Sequence, residues 1–427
     1  MQISPRFVRL LLVAMAVWFN TSSQFSQGEV AKSGTDSVYQ MAELTASDAS
    51  YGDLFGVAVA ADANTAAVGA PYINSGEGAV YVYVKPPTGW RNMTETAKLT
   101  ASDAASYNYF GWSVAISGDI IVVGAVWGTV GSNLQQGATY VFVRPKNGWH
   151  NMTETAKLTA SDGAARDNLG WSVAIQGDTV VAGAVSANIE GKNQYQGAVY
   201  VFVKPAGGWK GMTQTAKLNA SAPMKFDELG TAVSIDTNTI MATAIGDYTV
   251  GPGKAYIFVE PPNGWSNMTE TAELTATDTG AQDFFGVSGG ISGDTVAIGA
   301  MNGPNNSGVG IVYVFVKPAG GWGNMTQTAE LTVSGFKTAN LGVSVAISGT
   351  TVLAGASAVR NDRGAAFVFM EPSGGWTGGN PNLSLAASNG AKGDDFGACV
   401  SISGSTAVVG ATQHSVVGLG KAYVFAP

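Results

Sequence analysis

The sequence predicts an all-β fold, a seven-bladed β-propeller made of four-stranded antiparallel blades. The main observation is a phrase that returns seven times, at steps of roughly 55 to 60 residues, as in a repeat architecture. The composition agrees, because 57 glycines and only 12% charged residues are typical of many short strands and tight turns. The two ends of the chain carry complementary parts of one blade, which predicts a closed ring.

Residues 1–23 have the layout of a secretory signal peptide. Arg6 and Arg9 precede a short apolar run at residues 10–19, and polar residues follow. The run is too short to span a bilayer stably, and an uncleaved anchor helix is the alternative. We therefore expect a secreted protein, extracellular or periplasmic, with no membrane span after cleavage.

Residues 24–38 are polar and are interpreted as a linker, and residues 39–427 as the propeller. The chain finishes at residues 423–427 with a third strand that no fourth strand follows. Residues 41–47 form a fourth strand that no third strand precedes. Pairing these two segments completes blade seven and leaves no open edge in the ring.

Each copy of the repeat carries four strand-like runs. The first alternates in side-chain size, as a half-buried strand does. The second is rich in β-branched residues, as expected for a strand buried on both faces. The third ends at a proline in most copies, and the fourth is more polar, which suits an outer edge. In the clearest copy the four runs are residues 112–117, 120–125, 138–143 and 155–161.

An anchor pair, an apolar residue followed by glycine, begins each copy. We interpret the glycine as a point of close backbone approach and the apolar residue as a wedge between adjacent blades. The seven pairs are Phe55-Gly56, Phe110-Gly111, Leu169-Gly170, Leu229-Gly230, Phe285-Gly286, Leu341-Gly342 and Phe396-Gly397.

The order Phe-Gly, a strand, a turn and then Gly-Ala-Pro resembles the FG-GAP repeat. The first copy keeps it most fully, with Phe55-Gly56 and Gly69-Ala70-Pro71, whereas the fourth copy departs with Thr243-Ala244. The resemblance extends over residues 39–427. It implies a seven-bladed propeller similar to the head of integrin α subunits and to many secreted bacterial repeat proteins, and hence a role in binding or cell adhesion.

FG-GAP proteins that bind calcium do so in an Asp-rich loop between the first two strands, and this chain departs from that pattern. A loop such as Ser117-Gly118-Asp119 carries at most one carboxylate. One carboxylate cannot supply the roughly six to eight oxygen ligands that calcium takes. We therefore expect no metal site and no cofactor.

An acidic residue stands two positions before the anchor in most copies. A ring of carboxylates can bind a cation or a basic partner, but regular recurrence favours a structural turn into the first strand. These residues are Asp53, Asp167, Asp227, Asp283 and Asp394, with Asn108 in the second copy.

A Gly-Trp pair recurs in the connection between strands three and four. Tryptophan can stack on sugar rings, but a repeated tryptophan at one position of a blade favours packing on the outer strands. The residues are Trp90, Trp149, Trp209, Trp265, Trp322 and Trp376. Glycosylation acceptor patterns also recur nearby, at Asn92, Asn151, Asn267 and Asn324, and copying of one turn is the simpler explanation for them.

Signals of catalysis are weak in this sequence. The two histidines, His150 and His414, lie in different types of loop, and neither a nucleophile–base pair nor a phosphate-binding loop is visible. The carboxylates are numerous enough that a glycosidase-like pair stays open. A net charge of −8 argues against nucleic acid and anionic membrane surfaces as partners.

The connections between strands two and three vary in length and chemistry from copy to copy. Variable loops on a rigid frame are a common place for function, and neutral drift of surface loops is the alternative explanation. The candidate ligand-binding residues in these loops are Tyr72, Trp127, Tyr195, Tyr248, Arg360 and His414.

The leading hypothesis is a secreted, monomeric, non-enzymatic binding propeller that engages an extracellular protein or glycan through these loops. Two alternatives stay open. One is a carbohydrate-active lyase or hydrolase that uses carboxylates on the same face. The other is a multivalent lectin with repeated aromatic pockets.

Overall fold

The computed structural model describes residues 38–188, 195–246, 251–413 and 418–426. Within them the strands form seven sheets, each with four antiparallel strands in the order first, second, third, fourth. The first strands of neighbouring blades contact one another, which places them around the centre of the ring. The prediction of an all-β, seven-bladed propeller is confirmed. The expected signal peptide lies outside the described residues.

Each blade runs from a first strand near the centre of the ring to a fourth strand at its rim. From blade one to blade seven, the first strands are β2 (Ala58–Asp62), β7 (Phe110–Ser117), β11 (Leu169–Gln176), β16 (Val233–Asp236), β21 (Phe285–Ser292), β26 (Leu341–Ser348) and β30 (Phe396–Ser403). In the same order, the second strands are β3 (Thr65–Ala70), β8 (Ile120–Ala125), β12 (Thr179–Ala184), β17 (Thr239–Ala244), β22 (Thr295–Ala300), β27 (Thr351–Ala356) and β31 (Thr406–Ala411).

The third strands are β4 (Ala79–Val84), β9 (Ala138–Val143), β13 (Ala198–Val203), β18 (Lys254–Val259), β23 (Ile311–Val316), β28 (Ala365–Met370) and β32 (Lys421–Ala426). The fourth strands are β6 (Ala97–Leu99), β10 (Ala156–Thr159), β15 (Ala216–Asn219), β20 (Ala272–Thr275), β25 (Ala329–Leu331), β29 (Leu383–Leu385) and β1 (Tyr39–Thr45). Short helical turns lie between strands two and three at Ile73–Gly76, Val359–Asp362 and, as a 3₁₀ turn, Pro304–Asn306.

The ring closes through β1, which comes from the start of the propeller. It pairs antiparallel with β32, and Tyr39 lies opposite Ala426 and Leu44 opposite Ala422. The first segment of the propeller thus supplies the fourth strand of blade seven beside the third. This confirms the closure predicted by counting strands.

The apolar residue of each anchor pair packs between two blades. Phe110 is fully buried in a cluster that joins Val80 and Val82 of blade one to residues of blade two. Its ring centroid lies 5.5 Å from that of Tyr140 and 5.8 Å from that of Phe142. Burying such a side chain contributes about 1.5–3 kcal/mol. The interpretation of the anchor residue as a wedge is confirmed.

The anchor glycine allows the backbones of two blades to touch. Gly111 has a φ of +92°, and a Cβ atom placed on it would lie 2.6 Å from the carbonyl oxygen of Ala79. Both the dihedral angle and the missing space exclude larger residues. The interpretation of the anchor glycine as a point of close approach is therefore confirmed.

We call the contact at the rim of each junction the outer clasp, in which the hairpin between strands three and four reaches the fourth strand of the preceding blade. At blade one, β5 (Met93–Thr94) pairs in parallel with β1, with Met93 opposite Leu44. The Asn92 side-chain oxygen accepts a hydrogen bond from the Glu43 N–H at 2.8 Å. The same Leu–Met pairing recurs at Leu99–Met152, Leu158–Met212, Leu218–Met268 and Leu274–Met325, the last three through β14 (Met212–Thr213), β19 (Met268–Thr269) and β24 (Met325–Thr326).

On one face of the ring, which we call the turn face, the hairpins between strands one and two form a closed belt of hydrogen bonds. In each, a backbone N–H of the turn donates to the side chain at the end of the first strand of the preceding blade. The donor and acceptor pairs are Gly118–Asp62, Gly177–Ser117, Thr237–Gln176, Gly293–Asp236, Gly349–Ser292, Gly404–Ser348 and Ala63–Ser403. The polar side chains of these turns therefore join the blades to one another.

Candidate functional site

The opposite face, which we call the entry face, is built from two kinds of loop. The loop between strands two and three of each blade contacts the segment that enters the next blade. Thus the Tyr109 N–H donates to the Gly76 carbonyl at 2.8 Å, and the Asp395 N–H donates to the Asp362 carbonyl at 2.9 Å. The variable loops therefore share a face with the blade-to-blade connections, as expected.

Buried aspartates hold the entering segments in shape. A side-chain oxygen of each accepts the backbone N–H of the residue three positions earlier, as in Asp53 with Ser50 and Asp394 with Ala391, both at 2.7 Å. Asp167, Asp227 and Asp283 make the same bond. The interpretation of these residues as structural turns is confirmed. The backbone N–H that each carboxylate accepts precedes the aspartate in the chain, whereas in an Asx turn it follows. Burial raises the pKa of Asp167 to about 6.

Five aromatic side chains meet on the entry face of blades one to three, and we call them the aromatic patch. They are Tyr72, Tyr109, Trp112, Trp127 and Trp171. The Tyr109 ring centroid lies 4.8 Å from Tyr72, 4.7 Å from Trp127 and 6.5 Å from Trp112. Trp112 and Trp171 lie 5.2 Å apart with their ring planes at 51°. The patch is thus a continuous chain of ring contacts across two blade junctions.

The local backbone places each ring of the patch. Tyr72 starts the loop after β3, and its N–H donates to the Asp53 carbonyl at 3.3 Å. Tyr109 stands directly before the anchor of blade two with a φ of +53°. Trp112 and Trp171 follow the anchor glycines in β7 and β11, at the entry end of the innermost strands.

The rings of the patch differ in exposure. Trp127 and Tyr109 are buried, at 9% and 8% exposed, whereas Tyr72, Trp112 and Trp171 are partly exposed. Trp127 and Tyr109 therefore form a base under the other rings. The outer rings present apolar surface near the centre of the entry face.

The described residues beside the patch are polar, and Asp53 and Asp167 are among them: the Tyr72 N–H donates to the Asp53 carbonyl, and Asp167 directly precedes Asn168. Buried amides lie at Asn108, Gln136 and Asn168, and the Asn168 side chain donates to the carbonyls of Val126 and Gln135 at 3.4 Å. Burial also raises the pKa of both patch tyrosines above its ordinary value. Their hydroxyls thus stay protonated, and the patch itself carries no charge at neutral pH.

The six candidates from the sequence fall into separate places. Tyr72 and Trp127 meet in the aromatic patch, although Trp127 is buried at its base. Tyr195 lies at the next junction, stacked on Phe226 with centroids 5.6 Å apart and planes at 15°. Arg360 is exposed in the loop of blade six. The other two candidates, Tyr248 and His414, lie outside the described residues.

Sequence reasoning missed Tyr109, Trp112 and Trp171. A signal for the two tryptophans was present, because the other copies carry a smaller residue directly after the anchor glycine. Those residues are Val57, Thr231, Val287, Val343 and Ala398. A departure from the repeat at an innermost position is therefore a marker of this patch.

The repeated tryptophans of the outer hairpins belong to the packing between blades. Trp90, Trp149, Trp209, Trp265 and Trp376 are between 6% and 8% exposed, and Trp322 packs against the cluster at its own junction. This confirms their interpretation as packing residues. Rings buried in this way are not available as repeated sugar platforms.

Neither metal-binding nor membrane-spanning features stand out in the described ranges. Among those residues, no group of three or more His, Cys, Asp or Glu side chains is arranged to hold a metal ion. No helix in the same ranges is long and apolar enough to cross a membrane.

Comparison with protein families finds a match to the FG-GAP repeat. The matched segments are residues 38–83, 93–142, 152–202, 212–258, 268–315 and 383–425. They cover more than half of the chain, which therefore belongs to the FG-GAP repeat family. A search of curated proteins finds no match.

Proposed function

We propose that this chain is a secreted, monomeric, non-enzymatic binding or adhesion propeller that engages an extracellular protein or glycan through its entry face. The observation that carries the proposal is the aromatic patch, where partly exposed Tyr72, Trp112 and Trp171 rest on a buried base. Aromatic side chains are among those that dominate interface energetics. Membership of the FG-GAP family and the signal-like first 23 residues support secretion.

The contrast between the two faces supports the entry face as the binding surface. On the turn face the polar side chains already accept hydrogen bonds in the belt, in similar fashion at every junction. On the entry face the loops differ between blades, and the rings collect on one side. Because this face is asymmetric, a partner can dock there in only one orientation.

A non-catalytic role is supported by the use of the entry-face carboxylates. Asp53, Asp227 and Asp283 are buried and accept backbone N–H groups of their own segments. Asp283 also accepts the Asn306 N–H at 2.9 Å. The hydrogen bonds of these carboxylates hold their own segments in shape, which favours a structural role for them.

The test uses an array that carries glycans and purified extracellular protein domains. The Trp112→Phe/Trp171→Ala double variant should lose the hits of the wild-type protein and keep nearly the same melting temperature. A turn-face variant, Ser292→Ala, serves as the control and should keep the hits. Binding that survives the double variant, or that is lost in Ser292→Ala, would show that the proposed face is wrong.

A further inference from the structure

We infer that the aromatic patch is a binding site for a neutral glycan, with the apolar faces of pyranose rings stacked on Trp112 and Trp171. This inference rests on the proposed function, and it names the ligand class and the residues that contact it. The repeated outer tryptophans take no part, because five of them are buried and Trp322 packs against the core cluster at its junction. The site is thus single and asymmetric, confined to blades one to three.

The first argument is the rigidity of the platform. The partly exposed Trp112 and Trp171 rings contact each other, and Trp112 rests on Tyr109, which in turn rests on the buried Trp127. Both tryptophans stand in β-bulges of central strands, where their backbone N–H groups donate to the Tyr109 and Asn168 carbonyls at 3.2 Å. Such rings lose little conformational freedom on binding, so the contact area converts efficiently into affinity.

The second argument is the lack of charge. The members of the patch are apolar rings and protonated hydroxyls, none of which carries a charge at neutral pH. Cationic ligands are usually held by carboxylates and anionic ligands by Lys or Arg. Ring faces beside hydroxyls instead suit a molecule with an apolar face and a rim of neutral hydroxyls, which describes a pyranose.

The third argument is size. A stable protein–protein interface takes roughly 800 Å² from each partner and some 20 to 30 residues. The patch consists of five side chains, of which Tyr72, Trp112 and Trp171 are the partly exposed ones that a ligand reaches. An area of this size matches one to three sugar units better than the footprint of a folded domain.

The experiment titrates the full chain with neutral oligosaccharides chosen from an array of neutral, sialylated and sulfated glycans. We expect neutral hits with an affinity that changes little between low and high salt, and a change in tryptophan fluorescence on binding. Trp112→Ala and Trp171→Ala should each weaken binding about tenfold, which is about 1.4 kcal/mol and within the range of one aromatic contact. Trp112→Phe should keep part of the affinity, and Ser292→Ala, on the turn face, all of it.

Other outcomes would overturn the inference. If neutral glycans fail to bind, or bind equally well to the Trp112 and Trp171 variants, the patch is not a glycan site. Binding of only charged glycans, with a steep dependence on salt, contradicts the neutral class. If the array of glycans and extracellular protein domains used to test the proposed function gives only protein hits, and these variants lose them, the inference fails while the proposed function stands.

Discussion

The side-chain oxygen of Gln40 accepts a hydrogen bond from the backbone N–H of Ser388 at 2.8 Å. Glu95 does the same for the Ser47 N–H at 3.0 Å, one junction further round the ring. The segment that closes blade seven thus supplies both the fourth strand and a hydrogen bond to blade six at the rim of their junction. Glu154, Gln214, Glu270 and Gln327 occupy the corresponding place at the other junctions that have it.

The closing segment should be essential for a stable ring. Deleting residues 39–48 removes β1 and the hydrogen bond between Gln40 and Ser388, and it exposes the edge of β32. We expect loss of the cooperative thermal transition, or aggregation, measured by calorimetry and light scattering. Gln40→Ala is the matched control and should cost at most about 1 kcal/mol, because its bond is exposed to solvent. A deletion variant that melts like the parent would contradict the strand assignment.

The junction between blades five and six should open first. Gly378 and Gly379 stand where the other clasps carry Asn or Gly and then Met, and Pro381 replaces the Glu or Gln. One backbone bridge, from Gly379 to Leu331, is left, beside a shallow depression that Thr328 and Thr332 help to line. Amide exchange measured by mass spectrometry should be roughly tenfold faster in β25 than in β20.

The matched control for this junction is Met268→Gly. It removes, between blades three and four, the methionine side chain that is missing at Gly379 between blades five and six. Exchange in β15 should then rise toward the rate of β25, because Met268 lies opposite Leu218 of that strand. Equal exchange rates in all fourth strands of the wild-type protein would contradict the prediction.

Tryptophans of the two kinds should separate stability from binding. Trp209→Ala and Trp265→Ala remove buried rings from the packing between blades, and each should destabilise the fold by about 3–5 kcal/mol. Trp112→Phe removes part of a partly exposed ring and should change the free energy of unfolding little. Urea denaturation measures both. A Trp209 variant as stable as the parent would contradict the packing role.

Asp167 should make the fold less stable at neutral than at acidic pH. Its pKa is raised by burial from 3.8 to about 6, so the folded state holds its proton more tightly than the unfolded state. Stability from this group is therefore gained as the pH falls from about 6 to about 4. Asp167→Asn should raise the free energy of unfolding at pH 7.5 by roughly 1–3 kcal/mol, and the melting temperature should rise with it. The same substitution should remove this pH dependence.

Asp162 provides the control of opposite sign. Against the effect of its burial, hydrogen bonds from Lys217 and Tyr200 hold the pKa of Asp162 below its ordinary value. Asp162→Asn should therefore lower stability at neutral pH. An Asp167→Asn variant that is less stable than the parent at pH 7.5 would show that its buried carboxylate is not penalised.

The melting temperature should be the same with added calcium as with a chelator. The carboxylates next to the turns, Asp62 and Asp236, already accept N–H groups in the turn-face belt. A ligand that binds the folded state raises its melting temperature in a saturable way. A saturable rise with calcium would therefore contradict this prediction.

Much of the frame follows from local pattern. In the second copy the strands β8 and β9 begin and end at the residues that the apolar runs predict, and the roles of Phe110 and Gly111 follow from side-chain size and dihedral freedom. The aromatic patch was less accessible to prediction. Tyr72, Tyr109 and Trp171 come from three blades, and only the closed ring brings them together.

The bonds between blades were equally hidden, since their partners lie far apart in the chain. The contact of Ala63 with Ser403 joins residues 340 positions apart. Nothing in a window of neighbouring residues distinguishes such a serine from any other turn residue.

The turn-face belt has a direction, because in each of its backbone bonds a turn N–H of one blade donates to a side chain of the blade before it. Every interface between blades is therefore a head-to-tail contact that the next blade can repeat. Because each blade repeats the same contact, no blade has to be the first in the chain. The curvature of the ring sets how many blades it holds. Cutting the ring at any other outer hairpin and joining Ala426 to Tyr39 would leave every junction with the same donors and acceptors. The choice of which blade comes first along the chain is thus physically arbitrary, whereas the aromatic patch lies on the same three blades wherever the chain begins.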